Sequence, residues 1–226
     1  MNNEDILKYV DHTVLGADAK WEDIKTACDE AIEYGTASVC IPPCYVKMAR
    51  EYAGDELKIC TVIGFPNGYT TLLTKAFETL DVVEDGADEI DMVINISYLK
   101  DRKFDDVLAE IIAVRSVCED KILKVIIETC LLSDEEKLKM CELVALANAD
   151  YIKTSTGFSH GGATDHDIEL FARYIEENNL QDVLGIKAAG GISSLDDARR
   201  FIEKGADRLG SSRIIGLVKG EERTGY

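Results

Sequence analysis

A chain of 226 residues with 46% apolar and 30% charged residues has the composition of an ordinary globular protein of one large domain. Its net charge of -18 argues against nucleic acid as a partner, because phosphate backbones are bound by clustered lysines and arginines. No stretch approaches 18 consecutive apolar residues, and the N-terminal segment carries acids where a signal peptide would carry bases. We therefore expect a cytoplasmic protein with no membrane partner.

Eight short apolar segments, rich in Val and Ile, recur roughly every 30 residues along the chain. They are too uniformly apolar for a sheet with one wet face, which favours parallel strands covered by helices. The predicted strands cover residues 9–13, 37–41, 59–65, 89–94, 123–129, 150–155, 184–190 and 206–212.

Amphipathic stretches of helical period lie between these strands. The segment 20–35 ends at Gly35, a residue typical of helix C-caps. A later helix is predicted to begin after Ser133, since Glu136 follows at the spacing of a capping box.

Eight strands alternating with about eight helices predict an α/β protein, a (β/α)8 TIM barrel formed as a single domain over residues 1–226. We expect an extra short N-terminal helix and a mobile C-terminal tail over residues 220–226. A doubly wound open sheet is the structural alternative. The sequence lacks the usual signatures of nucleotide-binding open sheets, since no GxGxxG follows the first strand and no Walker A motif occurs.

Polar residues stand near the carboxyl ends of several predicted strands, where barrel enzymes place catalytic groups. Asp91 and Lys153 can both point into the barrel, and Lys187 follows Lys153 by 34 residues, which is one strand-helix step. An ordinary lysine, with a pKa of about 10.4, cannot attack a carbonyl at neutral pH. Burial and a neighbouring cation both favour the neutral amine, so two adjacent lysines with an acid predict covalent amine chemistry. A surface lysine, or a plain salt bridge of Asp91 with Lys124, is the alternative interpretation.

Three turns rich in glycine and serine follow predicted strands, and each precedes a predicted helix. Backbone N–H groups in such turns bind phosphate without net positive charge, and barrels often hold phosphate after strands seven and eight. The alternative is that these glycines only permit tight turns. The candidate substrate-binding residues are Thr156, Gly157, Gly190, Gly191, Ser193, Gly210, Ser211 and Ser212.

The cysteines number seven and include no CxxC pair, which predicts free thiols. The three histidines form no HExxH motif or cluster with cysteine, so no zinc or other metal site is expected.

The segments "DHTVL", "GADEIDMVIN", "LKVIIET", "DYIKTSTGFSHGGAT" and "GIKAAGGI" together resemble the deoxyribose-phosphate aldolase family, in the family's order and over nearly the whole chain. The resemblance implies a class I, Schiff-base aldolase that needs no cofactor. Such an enzyme reversibly cleaves 2-deoxy-D-ribose 5-phosphate to D-glyceraldehyde 3-phosphate and acetaldehyde. It also implies small-molecule sugar phosphate and aldehyde partners, and a homodimer or homotetramer.

Residue by residue, the resemblance implies a catalytic set. Lys153 matches the Schiff-base lysine, Lys187 the second lysine that perturbs it, Asp91 the proton-transfer aspartate, and Lys124 the lysine that positions this aspartate.

The resemblance also assigns three residues around the substrate. Cys40 matches a pocket cysteine, Asp11 an acid near the sugar hydroxyl, and Tyr226 a terminal tyrosine that assists proton transfer at the enamine carbon. A disordered terminal residue is the alternative for Tyr226.

Three positions depart from the family pattern. Gly16 and Ser193 stand where many relatives carry lysine and arginine, and Arg213 follows the last glycine-serine turn. The departures at Ser193 and Arg213 bear on strictness for phosphate. They leave open a Schiff-base aldolase or lyase for a different aldehyde pair, and a non-catalytic sugar-phosphate-binding barrel.

Overall fold

Eight parallel strands close into a barrel in sequential order, with β8 paired to β1, in the computed structural model, which describes residues 1–220. The predicted barrel is confirmed, and each predicted strand segment overlaps one observed strand, with β5 starting one residue before its predicted segment. The observed strands are shorter, because the ends of several predicted segments form the loops at the barrel mouth. They are β1 Val10–Thr13, β2 Ser38–Ile41, β3 Ile59–Ile63, β4 Glu89–Val93, β5 Ile122–Ile126, β6 Tyr151–Lys153, β7 Gly185–Ala189 and β8 Arg208–Ser211.

The described part of the chain holds ten α-helices, two more than the prediction of about eight. The extra short N-terminal helix is confirmed as α1, and a second short helix, α5, follows β4 because the Asn95 side chain caps its first turn. The helices are α1 Asn3–Leu7, α2 Trp21–Tyr34, α3 Val46–Ala53, α4 Leu72–Glu84, α5 Ile96–Lys100, α6 Phe104–Cys118, α7 Asp134–Leu146, α8 Asp165–Glu177, α9 Leu195–Glu203 and α10 Ile214–Lys219.

Local sequence signals set the helix ends as predicted. Gly35 adopts φ 60° and closes α2, a left-handed conformation that glycine reaches without a Cβ penalty. Ser133 and Glu136 form the reciprocal capping box of α7, with Ser133 N donating to Glu136 Oε2 at 2.8 Å. The predicted tail lies outside the described residues except for Gly220, which closes α10.

Alternate residues of each strand face opposite sides of the barrel wall. Outward side chains such as Ile90, Ile152 and Ile186 are buried against the helices and form most of the core. Many inward positions carry ionisable side chains instead of the branched apolar residues that usually fill such barrels, with Val62 among the exceptions. This buried polar interior positions the site described next. Among the helices in the described range, none has the length and apolar character required to span a bilayer.

Candidate active site

Asp91 on β4 is the centre of a buried ion cluster. One of its oxygens, Oδ2, accepts hydrogen bonds from Lys153 Nζ and from Lys187 Nζ, each at 2.6 Å. The other, Oδ1, accepts from Lys124 Nζ at 2.7 Å. Four strands thus deliver one carboxylate and three amines to one point, as the strand-end pattern predicted.

The two predicted lysines of the amine chemistry lie side by side. Lys153 and Lys187 are register partners on β6 and β7, so both amines reach the same oxygen of Asp91. Lys187 is fully buried, whereas Lys153 is 3% exposed and lines the adjoining pocket. Of the three lysine amines in the cluster, that of Lys153 is therefore the one that borders the pocket.

Electrostatics inside the cluster favour charged forms of the groups that hold Lys153. Burial alone would raise the pKa of Asp91, but Lys124, Lys153 and Lys187 hold it well below the ordinary carboxyl value. Burial alone would lower the pKa of Lys187, but Asp11 and Asp91 raise it above the ordinary lysine value. The pKa of Lys124 is likewise raised, chiefly by Asp91 against the effect of burial. At neutral pH Lys187 and Lys124 are therefore cations and Asp91 is a carboxylate.

A pocket of about 170 Å³ opens above Lys153 at the carboxyl ends of the strands. It brings the lysine together with all three predicted turns. All the predicted substrate-binding residues line it except Asp11 and Cys40. Its lining includes Lys153, Thr156, Gly157, Gly190, Gly191, Ser193, Gly210, Ser211, Ser212 and Arg213.

Glycine is required at two kinds of place in this pocket. Gly190 and Gly191 have φ of 74° and 75°, which turns the chain sharply after β7. At Gly210 a Cβ would lie 3.2 Å from Lys187 Cε and 3.1 Å from Ala189 Cβ, so the missing side chain leaves room for the lysine stem.

The turns differ in their relation to helices. Those after β7 and β8 lead closely into α9 and α10, as predicted. The turn 154–157 does not, because a loop of residues 158–164 separates it from α8. That loop instead packs on the β7 turn, where Ala163 N donates to Ala189 O at 3.0 Å.

Asp11 and Cys40 lie beneath the pocket rather than in its lining, and both are fully buried. Asp11 Oδ2 lies 2.5 Å from Lys187 Nζ, a close ion-pair contact without hydrogen-bond alignment. Asp11 Oδ1 accepts from Ser38 Oγ at 2.8 Å and from Arg208 Nη1 at 2.6 Å. The contacts of Asp11 are thus with the ion cluster.

Four residues of this region are absent from the sequence-based site. Glu89 and Arg208 join the cluster from the amino ends of β4 and β8, Cys60 contacts Asp91 and Lys124, and Glu128 binds Thr156. The alternation of strand residues could have identified Glu89, since it precedes Asp91 by two residues and therefore faces the barrel interior as Asp91 does. Arg208 precedes Gly210 in the same way.

Glu128 supports the pocket wall from the end of β5. Its carboxylate accepts from the Thr156 hydroxyl at 2.5 Å, and its backbone holds φ 56°, an uncommon conformation for a residue with a side chain. Burial raises the pKa of Glu128 above the ordinary value. The hydrogen bond fixes Thr156 at the pocket edge.

The donor groups of the cluster include two sets with metal-like spacing, Cys40 with Cys60 and Asp91, and Asp11 with Cys60 and Glu89. The cation position between them is filled by the Lys124 ammonium. Its Nζ lies 2.7 Å from Asp91 and from Glu89, and 3.2 Å from Cys60 Sγ. Asp91, Glu89 and Cys60 are therefore contacts of a lysine ammonium.

Two further predictions concern the departures at Ser193 and Arg213 and the terminal residue Tyr226. Ser193 and Arg213 both line the pocket, with Ser193 Oγ donating to Asp197 Oδ2 at 2.9 Å. The prediction for Tyr226 lies outside the described residues.

Known proteins resemble this chain over its length. A family model described as DeoC/LacD family aldolase matches residues 6–222. A deoxyribose-phosphate aldolase of Clostridium botulinum is 56% identical over 226 residues, which is 100% of both chains. One from Clostridioides difficile is 54% identical over 221 residues, 98% of this chain and 99% of the relative. A solved structure entitled as a unique tetrameric structure of deoxyribose phosphate aldolase from Aeropyrum pernix superimposes with a TM-score of 0.87 at 30% identity, over 97% of this chain and 92% of that one.

Proposed function

Because this chain belongs to the DeoC/LacD family of aldolases, we propose that Lys153 is the amine that forms its Schiff base. The reaction is the reversible cleavage of 2-deoxy-D-ribose 5-phosphate to D-glyceraldehyde 3-phosphate and acetaldehyde, an aldehyde-lyase reaction of deoxyribose phosphate breakdown. The observation that carries the assignment of Lys153 is its position. It is the one lysine of the buried cluster that also lines the pocket.

The first half of the reaction makes an electron sink on Lys153. The neutral amine attacks C1 of the open-chain sugar phosphate, and the carbinolamine loses water to give an iminium ion. A proton leaves the C3 hydroxyl, the C2–C3 bond breaks, and its electron pair moves to the iminium nitrogen as an enamine. Glyceraldehyde 3-phosphate departs.

The second half returns the enzyme. The enamine carbon takes a proton, water adds to the resulting iminium, and acetaldehyde leaves the regenerated amine. We infer that Lys187 and Asp91 hold Lys153 in place during these steps. The depressed pKa makes the Asp91 carboxylate a weak base that does not stay protonated. This supports a role for Asp91 in passing protons through water.

The test is turnover of 2-deoxy-D-ribose 5-phosphate, followed by borohydride reduction in the presence of substrate and mapping of the modified peptide. We expect one adduct, on Lys153. An adduct on another lysine, or turnover with no adduct under trapping conditions, would reject the assignment.

We propose that the phosphate binds among the turns after β7 and β8, with Arg213 as its cation. Arg213 is half-buried in the pocket lining, and Ser193 adds a polar group without charge. Backbone N–H groups of the glycine-rich turns can donate to the remaining phosphate oxygens.

Arg213→Gln is therefore expected to raise KM for the phosphorylated sugar about tenfold and to leave the rate with unphosphorylated 2-deoxyribose little changed. Steady-state kinetics with both sugars measure this. The matched control is Arg200→Gln, since Arg200 lies on α9 in surface ion pairs with Asp165 and Asp197. Equal losses with both sugars would contradict a phosphate role for Arg213.

We also propose a homodimer or homotetramer. The support is an apolar stripe on α4, where Leu73 and Phe77 are 77% and 70% exposed, with Leu80 and Tyr69 beside them. The tetrameric relative from Aeropyrum pernix is consistent with association. Sedimentation of Phe77→Asp is expected to show a smaller species than the parent. The control, Leu146→Asp on α7, is expected to sediment like the parent. Identical masses for all three proteins would place any interface elsewhere.

We place the protein in the cytoplasm. The support is its set of seven cysteines, all free thiols, as is usual where glutathione keeps cysteines reduced. Cell fractionation tests this, and recovery of the protein outside the cytoplasm would overturn it.

A further inference from the structure

Glu89 and Arg208 occupy the end of the barrel interior opposite the pocket. Each is the first residue of its strand, β4 or β8, and neither lines the pocket. Residues at this end of a barrel usually contribute to stability and not to catalysis. Here, however, both side chains continue the ion cluster that holds the lysines.

The contacts are continuous from one end to the other. Arg208 Nη1 lies 2.6 Å from Asp11 Oδ1 and 3.2 Å from Glu89 Oε2. Asp11 in turn contacts Lys187, while Glu89 contacts Lys124 at 2.7 Å. Glu89 is therefore linked to Lys153 through Lys124 and Asp91, and Arg208 through Asp11, Lys187 and Asp91, all inside the closed barrel.

The charges of this cluster do not balance when every group is ionised. Three carboxylates face four cations, which leaves one positive charge in excess inside a closed barrel, where such a charge is costly. Loss of one proton restores balance. The carboxylates are Asp11, Glu89 and Asp91, and the cations are Lys124, Lys153, Lys187 and Arg208.

The four cations differ in the number of carboxylates that they contact, and the cation with the fewest contacts is the one expected to give up the proton. Arg208 stays charged in any protein, and the carboxylates around it raise its pKa further despite burial. The pKa values of Lys124 and Lys187 are raised by their carboxylate neighbours. Lys153 is the remaining lysine, with a single carboxylate contact and access to the pocket.

The other titratable groups facing the cluster leave this count unchanged. Cys40 and Cys60 are fully buried. The hydrogen bond with Cys60 lowers the pKa of Cys40 while burial opposes this, and burial raises the pKa of Cys60 well above the thiol value. A thiolate there would also lie beside the Asp91 carboxylate, so we count both as neutral thiols.

Two further groups lie at the ends of the cluster. The Arg208 guanidinium lies over the Tyr151 ring, 5.6 Å from the ring centroid. Glu128, near the mouth, accepts from Thr156, and the charge of Lys153 lowers its pKa against the larger effect of burial. Among residues 1–220 it makes no direct ion pair, and its own charge is the same in the parent and in every variant tested. The network of direct ion contacts therefore keeps three carboxylates and four cations.

We propose that Arg208 and Glu89 set the charge state of the active-site amine from the closed end of the barrel. Arg208 supplies the cation in excess that makes a neutral Lys153 the balanced state, and Glu89 limits that excess to one. Both are positioning residues that act through Asp11 and Lys124. The inference rests on the proposed role of Lys153 as the Schiff-base amine.

The experiment compares kcat/KM as a function of pH for four variants and the parent, with borohydride trapping on Lys153 at each pH. Arg208→Met leaves three charges of each sign, so the activity should rise at a pH about one unit or more higher than in the parent. Glu89→Gln increases the cation excess to two, so its activity should rise at lower pH. Arg208→Lys keeps the charge and should keep the position of the pH profile, whatever its maximal rate.

The double variant Arg208→Met with Glu89→Gln separates charge from structure. It has two carboxylates and three cations, which restores an excess of one, and its profile should return to that of the parent. A structural role for either residue predicts a double variant at least as impaired as each single one. A double variant whose profile stays with that of Arg208→Met would overturn the proposal.

The experiment also decides in two further cases. If Arg208→Met does not fold, as circular dichroism would show, the downward shift of Glu89→Gln alone decides, and an unshifted profile rejects the proposal. If the parent itself yields no adduct on Lys153 at any pH, the proposed Schiff-base role fails instead, which is a different result from an adduct whose pH dependence ignores Arg208 and Glu89.

Discussion

Lys153→Met is expected to remove the borohydride-trapped adduct and to lower kcat by about four orders of magnitude or more. The methionine side chain fills similar space but has no nitrogen to form the iminium ion, so the C2–C3 bond loses its electron sink. Removing this charge also leaves three carboxylates with three cations, so the folded state should retain a balanced interior.

Two further proteins make the result specific. Lys153→Arg keeps a cation next to Asp91 yet cannot form a Schiff base, and should be as inactive as Lys153→Met. Lys137→Met removes another largely buried lysine, which lies on α7 and pairs with Asp167 of α8 at 2.8 Å. This variant should retain activity and the adduct. Intact mass measurement after trapping, with kcat, reads out all three. Substantial turnover by Lys153→Arg would exclude covalent catalysis at this residue.

Lys187→Leu is expected to lower activity at neutral pH by about a hundredfold or more and to move the remaining activity to higher pH. Lys187 touches the same oxygen of Asp91 as Lys153, and its charge opposes a second cation there. Without it, three carboxylates face three cations, so the protonated form of Lys153 is balanced and the neutral amine requires a higher pH. Rates and trapping yields measured across the pH range test this. Activity that equals the parent's at neutral pH would contradict the role of Lys187.

Lys187→Leu should also change how the thermal stability of the protein depends on pH. Lys187 helps to hold the pKa values of Asp11 and Asp91 below the ordinary carboxyl range despite burial. Groups with depressed pKa values contribute stability above the unfolded-state pKa, about 4, and lose it as pH falls through the folded-state value. Lys187→Leu should therefore lower Tm at neutral pH, with a smaller difference from the parent in acid. Thermal unfolding at two pH values measures this difference, and Lys137→Met again serves as the control.

The ion cluster shows where sequence reasoning succeeded and where it stopped. Lys153 and Lys187 were predictable as neighbours, because one strand-helix step separates them and the register aligns them. Asp91 followed from its place near a strand end. Arg208 was missed although it contacts Asp11, because the two are 197 residues apart and meet only through closure of β8 onto β1.

The helices give a similar division. The Gly35 and Ser133 boundaries depend on hydrogen bonds within four or five residues, and the structure confirms both. α5 was not predicted, since its start depends on the Asn95 side chain, which caps its first turn, and not on apolar periodicity. The absence of Asp11 and Cys40 from the pocket lining also could not be read from the sequence, because it depends on how deeply each strand enters the barrel.

By itself the sequence determined the alternation of strands and helices, the barrel and the set of candidate residues for amine chemistry. These properties arise from periodicity and spacing, which act over tens of residues at most. The tertiary structure alone decided which amine meets the pocket, which carboxylate the lysines share, and that four cations face three carboxylates. The reason is physical: desolvation and charge pairing depend on distances between side chains from different strands, and barrel closure and strand register set those distances.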